Sequence, residues 1–537
     1  MNNIIKYTAF FTFFVLGIFT WSSCVDDFEE INRNPLLPTE EDLAKDGVLN
    51  GSFLPNLQFQ AIHTGISGTD FVNDYQVTQN LTADSWIGYM APRDAKWPGR
   101  NLSQFYFDHN WLNGTFGASI TKIFAPWIQL KKLNFDIENP NMEIWSIAQI
   151  SKIMGLHRST DKYGAIPYFK VGSGSFTVPY DSQEEIYKSF FEELEDAVEV
   201  LHKYSLGSGT IKRSSDVVYE GNALKWAKLG NSLMLRLAIR VRFADPQLSR
   251  TWAEKAMNHP AGLIESMDDI AKLDKGSGIT TRNALYVIAN AYDDTRMGAS
   301  IQSYLKGYND PRMGVYFDNN GREAVRAGIG QTGNTYNSAS KPIVSEFSPT
   351  FWFKASETSF LKAEAAIAGY NTNGISAKQF YEEGIRRSFK ENNISDDQVA
   401  TYLNGTTLPS SFIDSKNPRY STAAPSRITV AWNDDATEEE KLEKIIVQKY
   451  LANFPDGNEA WAEWRRTGYP RLIPPADNIS NAGVITSDGH KDGVRSWPYP
   501  QSEFNNNQEN VNAAVAQFKG GSNGANVNVW WDKKEKK

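Results

Sequence analysis

The stretch from residue 81 to residue 117 is dense in aromatic rings, with hydrogen-bonding side chains between them. The aromatic residues are Trp86, Tyr89, Trp97, Phe105, Tyr106, Phe107, Trp111 and Phe116. The polar residues among them are Asp84, Arg93, Asp94, Lys96, Arg100 and Asn101. A sugar ring has an apolar C–H face on which Trp or Tyr can stack, and a rim of hydroxyl groups that paired donors and acceptors can bind. This pattern therefore indicates a carbohydrate platform.

The same aromatic rings could instead anchor the stretch to the body of the protein, because burial of large rings is a main source of packing energy. We favour anchoring for Phe105, Phe107, Trp111 and Phe116. For Trp86, Tyr89 and Trp97 both interpretations stay open, since Gly, Pro and charged residues flank them.

Motifs for catalysis are sparse. The six histidines form no His-x-x-x-His or His-Glu-x-x-His pair, and no phosphate-binding glycine loop followed by Lys-Ser/Thr occurs. Asp293 and Asp294 are the obvious carboxylates for glycoside hydrolysis, which needs two such groups about 5–10 Å apart. Adjacent acidic residues are expected by chance among 63, so we predict a protein that is not an enzyme, with a secreted glycosidase as the least favoured alternative.

The elements that position these residues are mainly helices. Ser182–Glu185, Ser376–Gln379 and Thr437–Glu440 have the spacing of capping boxes, and each precedes apolar residues at helical spacing. Ala223 to Val241 carries another apolar stripe, and Leu248 to Met257 is predicted as its antiparallel partner. About four such helix pairs, each with one wide apolar face, predict a mostly α fold in which the pairs stack on their neighbours.

Two long stretches lack this periodicity. Residues 70–117 and 273–348 are rich in Gly, Asn, Asp and aromatic residues, and the second contains Arg296 and Tyr336. So many aromatic residues argue against disorder. We therefore predict ordered loops, the usual place for binding residues on a rigid scaffold.

The N-terminus resembles a lipoprotein signal. Lys6 precedes an apolar run from Tyr7 to Thr20, and Ser22 and Ser23 stand before Cys24, the single cysteine of the 537 residues. Fourteen helical residues rise roughly 21 Å, too short for a hydrocarbon core of about 30 Å. We predict a signal peptide over residues 1–23, lipid on Cys24, and an acidic tether over residues 24–38.

Composition narrows the function classes further. The net charge of −8, without a basic cluster, argues against nucleic acid and against a broad anionic membrane surface. The 41% hydrophobic and 22% charged content is typical of a soluble globular body, so membrane attachment is expected through Cys24 alone. With a single cysteine used for lipid, stability must come from packing, without a disulfide bond.

Five motifs follow one another along nearly the whole chain. They are Phe28–Thr39, Asp161–Tyr168, Lys225–Ala238, Asn309–Arg312 and Arg495–Glu503 with Asn507 and Asn510. In this order they resemble the motifs of the SusD/RagB family of outer-membrane nutrient-binding lipoproteins of Bacteroidetes. The resemblance implies tetratricopeptide-like helix pairs stacked on one side and a loop-rich ligand-binding half on the other, in a single domain over residues 39–537.

The resemblance also implies a function in nutrient uptake and polysaccharide utilisation. A surface-exposed lipoprotein of the cell outer membrane would bind an oligosaccharide and deliver it to a TonB-dependent transporter of the SusC type. A peptide or other nutrient is the alternative ligand. The family's binding face implies that both long loops contribute, so the expected ligand-binding residues are Trp86, Tyr89, Arg93, Trp97, Asn101, Arg296 and Tyr336. No catalytic residue, cofactor or nucleic acid is expected, and a structural calcium ion stays open.

Overall fold

The apolar stripes fold as long helices in a computed structural model that describes residues 48–95, 97, 101–486, 488 and 490–536. The predicted signal peptide, Cys24 with its acidic tether, Lys96 and Arg100 lie outside the described residues. Helices of the first half are α1 (Val48–Ala61), α2 (Asp70–Tyr75), α3 (Ala83–Trp86), α4 (His109–Phe116), α5 (Lys122–Asn134), α6 (Met142–Tyr163), α7 (Gln183–Ser205), α8 (Ala223–Arg240) and α9 (Pro246–Asn258). Those of the second half are α10 (Ala284–Tyr286), α11 (Ala299–Gly307), α12 (Arg312–Tyr316), α13 (Ala355–Ile367), α14 (Ala377–Glu391), α15 (Asp396–Leu403), α16 (Glu438–Asn453), α17 (Gly457–Thr467), α18 (Gln501–Asn506) and α19 (Gln508–Phe518).

The long helices pack as neighbours in sequence order, which confirms the predicted mostly α fold with stacked helix pairs. Helix α6 packs against α7, α7 against α8 and α8 against α9, and α13 packs against both α14 and α16. All three predicted capping boxes form, at the starts of α7, α14 and α16. Local sequence signals and tertiary packing agree here, as expected for an efficiently folding chain.

One predicted pair is arranged differently. Helix α16 packs mainly against α13 and contacts α17 far less, whereas α17 packs against the short helix α3. The reason lies in the side chains of α17, because Trp461 packs against Trp86 of α3 with ring centroids 5.3 Å apart. Helices α16 and α17 therefore connect the stacked helix pairs with the first of the two predicted loop regions.

The two stretches predicted as long loops contain more regular structure than expected. Residues 70–117 include α2, α3 and α4, and residues 273–348 include α10, α11 and α12. Strand β1 (Met90–Pro92) pairs antiparallel with β3 (Thr295–Met297), and β2 (Ala271–Leu273) pairs with β4 (Thr350–Phe353). The β1–β3 ladder brings together segments about 200 residues apart, which local periodicity cannot reveal.

A buried network of charged side chains connects the helices. Arg236 of α8 lies 2.7 Å from Glu357 of α13, and Arg240 lies 2.5 Å from Glu459 of α17. Lys449 of α16 lies 2.8 Å from Glu459 and 3.3 Å from Glu357. These side chains are at most 3% exposed, so each charge depends on its partners for compensation.

In the part of the chain that the structure describes, none of the helices combines the length and the apolar character that crossing a membrane requires.

Candidate functional site

Trp86, for which platform and anchor are both open from the sequence, lies in the interior. Its side chain is 8% exposed, and its indole N–H donates a 2.9 Å hydrogen bond to the carbonyl of Leu102. Its ring centroid lies 5.3 Å from that of Trp461, 5.7 Å from Trp497 and 6.0 Å from Phe107. The indole thus belongs to an aromatic cluster that holds α3 against α17. This arrangement agrees with the interpretation in which the ring anchors the stretch to the body of the protein.

Tyr89 and Asn101 are also buried. The Tyr89 ring stacks on Tyr450 with centroids 4.4 Å apart, and its hydroxyl donates to the Tyr450 carbonyl. Burial raises the pKa of the Tyr89 hydroxyl well above its usual value. The Asn101 carboxamide accepts hydrogen bonds from the Ser103 N–H at 3.0 Å and hydroxyl at 2.8 Å, and so caps the short helical turn Leu102–Gln104. In this conformation both side chains serve the packing of the loop.

Arg296 and Tyr336 of the second loop region are 0% and 1% exposed. The Arg296 guanidinium donates to the Asp293 carboxylate at 2.8 Å and to the Asn337 carbonyl at 3.1 Å. The Tyr336 hydroxyl donates to Asp414 at 2.7 Å. Through these hydrogen bonds the two buried side chains support the second loop region. Direct contact of either residue with a ligand stays a prediction.

Arg93 remains accessible at the end of the β1–β3 ladder. Pro92 pairs with Thr295 at the end of the ladder. Arg93, the residue after Pro92, therefore lies beside the turn that precedes β3. One Arg93 guanidinium nitrogen lies 2.9 Å from an Asp293 carboxylate oxygen and 2.6 Å from the Asn337 amide oxygen. The Arg93 side chain is 21% exposed, so its remaining surface faces solvent.

Asp293 organises this group of residues. Its carboxylate also contacts Lys341 at 2.7 Å, so that three cations, Arg93, Arg296 and Lys341, surround it. Desolvation alone would raise the pKa of Asp293, but hydrogen bonds and charge from Lys341 and Arg296 outweigh it and lower that pKa. A general acid in glycoside hydrolysis needs a raised pKa, so this carboxylate is suited to holding cations in place.

The backbone at Asp293 adopts φ of 55°, in the left-handed region that non-glycine residues rarely occupy. Such strain persists only where the surroundings hold it, and it concentrates at functional sites. Here the ladder on one side and the cations on the other hold the turn. We define the Arg93–Asp293 site as Arg93, Asp293, Asn337 and Lys341, the accessible polar residues of this turn.

Trp97 lies four residues beyond Arg93 and is partly exposed. Its ring meets Trp111 edge-on, with centroids 5.2 Å apart and an interplanar angle of 88°. The Ala95 N–H donates to the Gln331 carbonyl at 2.8 Å and ties this segment to the second loop region. Of the predicted aromatic residues Trp86, Tyr89 and Trp97, only Trp97 is partly exposed in the structure.

A polar cleft adjoins this site and was not predicted from the sequence. The segment 336–341 borders both, since Asn337 and Lys341 belong to the Arg93–Asp293 site whereas Ser338 and Ser340 line the cleft. The cleft has a volume of about 570 Å³. Its other lining residues are Gln302, Lys306, Asn319, Arg322, Glu323, Ala324, Ile413, Asp414 and Ser415. The residues from Ile413 to Ser415 carry no recognisable motif, so only the fold shows that they border it.

Metal binding has no support among the residues that the structure describes, because no three His, Cys, Asp or Glu side chains among them form a group that could hold an ion.

The chain is similar to several proteins of known structure. The family model described as SusD-like, Susd and RagB outer membrane lipoprotein, matches residues 30–532. A chitin-binding SusD homolog from Flavobacterium johnsoniae is 32% identical, with a TM-score of 0.84 over 91% of this chain and 99% of that chain. A SusD homolog from Bacteroides uniformis is 36% identical, with a TM-score of 0.81 over 90% and 99%. One from Bacteroides ovatus is 33% identical, with a TM-score of 0.81 over 91% and 100%. No curated protein matches the chain.

Proposed function

Because the chain belongs to the SusD/RagB family of outer-membrane lipoproteins, we propose that it is a cell-surface protein that binds an oligosaccharide without catalysis. The observation that carries the proposal is that residues of both loop regions meet in one accessible polar site, the Arg93–Asp293 site. The partly exposed Trp97 follows Arg93 by four residues in the chain. Chitin is named for the relative from Flavobacterium johnsoniae, which makes oligomers of N-acetylglucosamine the first ligands to test.

The site suits recognition of hydroxyl or acetamido groups. Asp293 presents carboxylate oxygens that accept hydrogen bonds, whereas Arg93 and Lys341 donate them. Asn337 can do both, and Trp97 offers a ring face. The side chains hold one another in place before ligand arrives, which reduces the entropy lost on binding. An open, solvated surface of this kind predicts modest affinity.

Arg93→Ala should weaken glycan binding at least tenfold, because a hydrogen bond to a charged group contributes about 1.5–3 kcal/mol. Isothermal titration with chitin oligosaccharides and a wider glycan panel measures the change. Arg386→Ala is the matched control, since Arg386 makes a comparable surface ion pair with Glu382 at 3.2 Å on helix α14. Equal affinities of wild type and Arg93→Ala would remove Arg93 from the binding site.

The same panel separates the alternative ligands. Binding of peptides but of no glycan would favour a peptide-binding member of the family over the oligosaccharide binder. Release of shorter products from a bound glycan would favour a glycosidase. A passive binder returns the glycan unchanged, as chromatography of the incubated mixture can show.

Cys24→Ala should release the protein from the membrane fraction, because we propose that lipid on this cysteine is the attachment to the outer membrane. Wild type should stay in the membrane and copurify in detergent with a TonB-dependent transporter of the SusC type, the proposed recipient of the ligand. Fractionation followed by immunoblotting measures both. Membrane retention of Cys24→Ala would contradict anchoring through Cys24.

A further inference from the structure

The polar cleft is continuous with the Arg93–Asp293 site. Asn337 of that site accepts a hydrogen bond from Arg93, and the next residue, Ser338, lines the cleft. Both residues are exposed. The site and the cleft therefore share a border, and a ligand longer than one sugar unit can extend from one into the other. The cleft volume of about 570 Å³ lies within the range of about 300–1,000 Å³ that is typical of small-molecule sites.

The turn at one wall of the cleft is fixed to the same site. Asp318 accepts a 2.7 Å hydrogen bond from the Lys341 N–H, while the Lys341 ammonium group lies 2.7 Å from Asp293. The next residue, Asn319, is exposed, lines the cleft and has φ of 50°. Left-handed backbone of this kind persists only where the surroundings hold it. Lys341 thus ties this wall of the cleft to the carboxylate at the centre of the Arg93–Asp293 site.

Two exposed cations of the cleft are available to a ligand. Lys306, near the end of α11, and Arg322 both line the cleft. Within the described part of the chain, neither side chain makes a hydrogen bond or an ion pair. An ammonium group offers three N–H donors and a guanidinium group five. Both can therefore donate to a ligand without giving up a contact inside the protein.

The two carboxylates of the cleft are engaged by neighbouring groups. Glu323 lies 2.6 Å from Lys416 and accepts a hydrogen bond from the Ser338 hydroxyl at 3.1 Å. Asp414 accepts from the Tyr336 hydroxyl at 2.7 Å and from the Lys416 N–H at 2.9 Å. These contacts hold the walls of the cleft in place before a ligand arrives, which reduces the entropy lost on binding.

We propose that the polar cleft is a second subsite for the oligosaccharide, and that it binds the sugar units that follow the one at the Arg93–Asp293 site. This inference rests on the proposed glycan binding. Lys306 and Arg322 donate to hydroxyl and acetamido oxygens, and the Asn319 carboxamide both donates and accepts. Sugar hydroxyl groups also do both, so a lining that mixes donors and acceptors suits them. The affinity therefore rises with chain length until both subsites are filled.

Isothermal titration with chitin oligosaccharides of increasing length tests the second subsite. The hexamer should bind wild type at least about tenfold more tightly than the dimer, because the added units gain hydrogen bonds to charged groups. Arg322→Ala should bring the ratio of the two affinities close to one, whereas Arg386→Ala on α14 is the matched control and should keep the ratio. Equal affinities of dimer and hexamer in wild type, or a ratio that Arg322→Ala leaves unchanged, would overturn the second subsite.

A crystal structure of wild type with the hexamer supplies a second test that needs no variant. Sugar units should lie beside Arg322 as well as at the Arg93–Asp293 site. Units confined to that site, or units that run past Trp97 away from the cleft, would overturn the second subsite and leave glycan binding in place. If only another glycan of the panel binds, its oligomers replace chitin in both tests. If no glycan binds at any length, the proposed function fails, and the second subsite fails with it.

Discussion

Glu459→Gln should lower the free energy of unfolding by about 3–5 kcal/mol, the usual cost of removing one partner from a buried ion pair. The Glu459 carboxylate lies 2.5 Å from Arg240 and 2.8 Å from Lys449, and all three side chains are at most 3% exposed. Glutamine keeps the size of the side chain but removes its charge. Two cations from α8 and α16 would then remain in the interior with less compensation.

Urea unfolding of the purified protein measures this loss. Glu382→Gln is the matched control, because its partner Arg386 lies on the same solvent-exposed face of α14 at 3.2 Å, and such pairs contribute about 0.3–0.5 kcal/mol. Glycan affinity of the folded fraction should stay unchanged in both variants. Similar stabilities of Glu459→Gln and Glu382→Gln would show that the network contributes no more than a surface pair.

The buried ion network also sets the direction in which the free energy of unfolding changes with pH. Desolvation opposes ionisation of Glu463, but Arg466, Lys449 and Arg240 outweigh it and lower the pKa of Glu463 to about 2. A carboxylate with a depressed pKa stabilises the fold above its unfolded pKa of about 4.3, and this contribution is lost as pH falls toward 2. The pKa of Glu459 is lowered by Arg240, Lys449 and Arg236 in the same way, against desolvation. The stability difference between wild type and Glu459→Gln should therefore shrink over this acidic range.

Local signals sufficed for the helices but not for the ion network. Capping boxes and apolar stripes identify α7, α14 and α16 because both depend on residues within a few turns of one another. Arg236 and Arg240 are visible in the sequence as two charges one turn apart in the apolar stretch from Leu233 to Val241. Their partners Glu357 and Glu459 lie more than 100 residues away, so only the tertiary structure pairs them.

The ligand-binding site stays a prediction, and the structure changes which residues could form it. The sequence indicated that the two loop regions carry it, and the resemblance to the family placed them on one face. Which aromatic ring faces solvent depends on the β1–β3 ladder and on the contact between α3 and α17, neither of which leaves a local pattern. Trp86 and Trp97 therefore looked equivalent, although one is enclosed by Trp461 and Trp497 and the other is not.

Trp86→Ala should accordingly lower mainly the stability of the fold, whereas Trp97→Ala should lower mainly the glycan affinity. Trp86→Ala should lower the free energy of unfolding by about 3–5 kcal/mol, because it removes a large buried ring and leaves a cavity between α3 and α17. It also leaves the Leu102 carbonyl without its 2.9 Å hydrogen bond. Trp97→Ala removes a partly exposed ring that meets Trp111 at its edge, so we expect a small change in stability and a clear loss of glycan affinity.

Urea unfolding and isothermal titration of each variant separate the two roles. Trp432→Ala is the control for loss of a partly exposed indole, since Trp432 donates to Asp434 at 2.9 Å and packs on Tyr381, among residues outside both loop regions. It should leave glycan affinity intact. Unchanged affinity in Trp97→Ala would exclude that ring from the platform, and a stable Trp86→Ala would show that the aromatic cluster does not hold α3 to α17. A buried ring stabilises the fold, and only an exposed ring can contact a ligand. The larger loss of stability is therefore expected for Trp86, which has the smaller accessible surface, and the larger loss of affinity for Trp97.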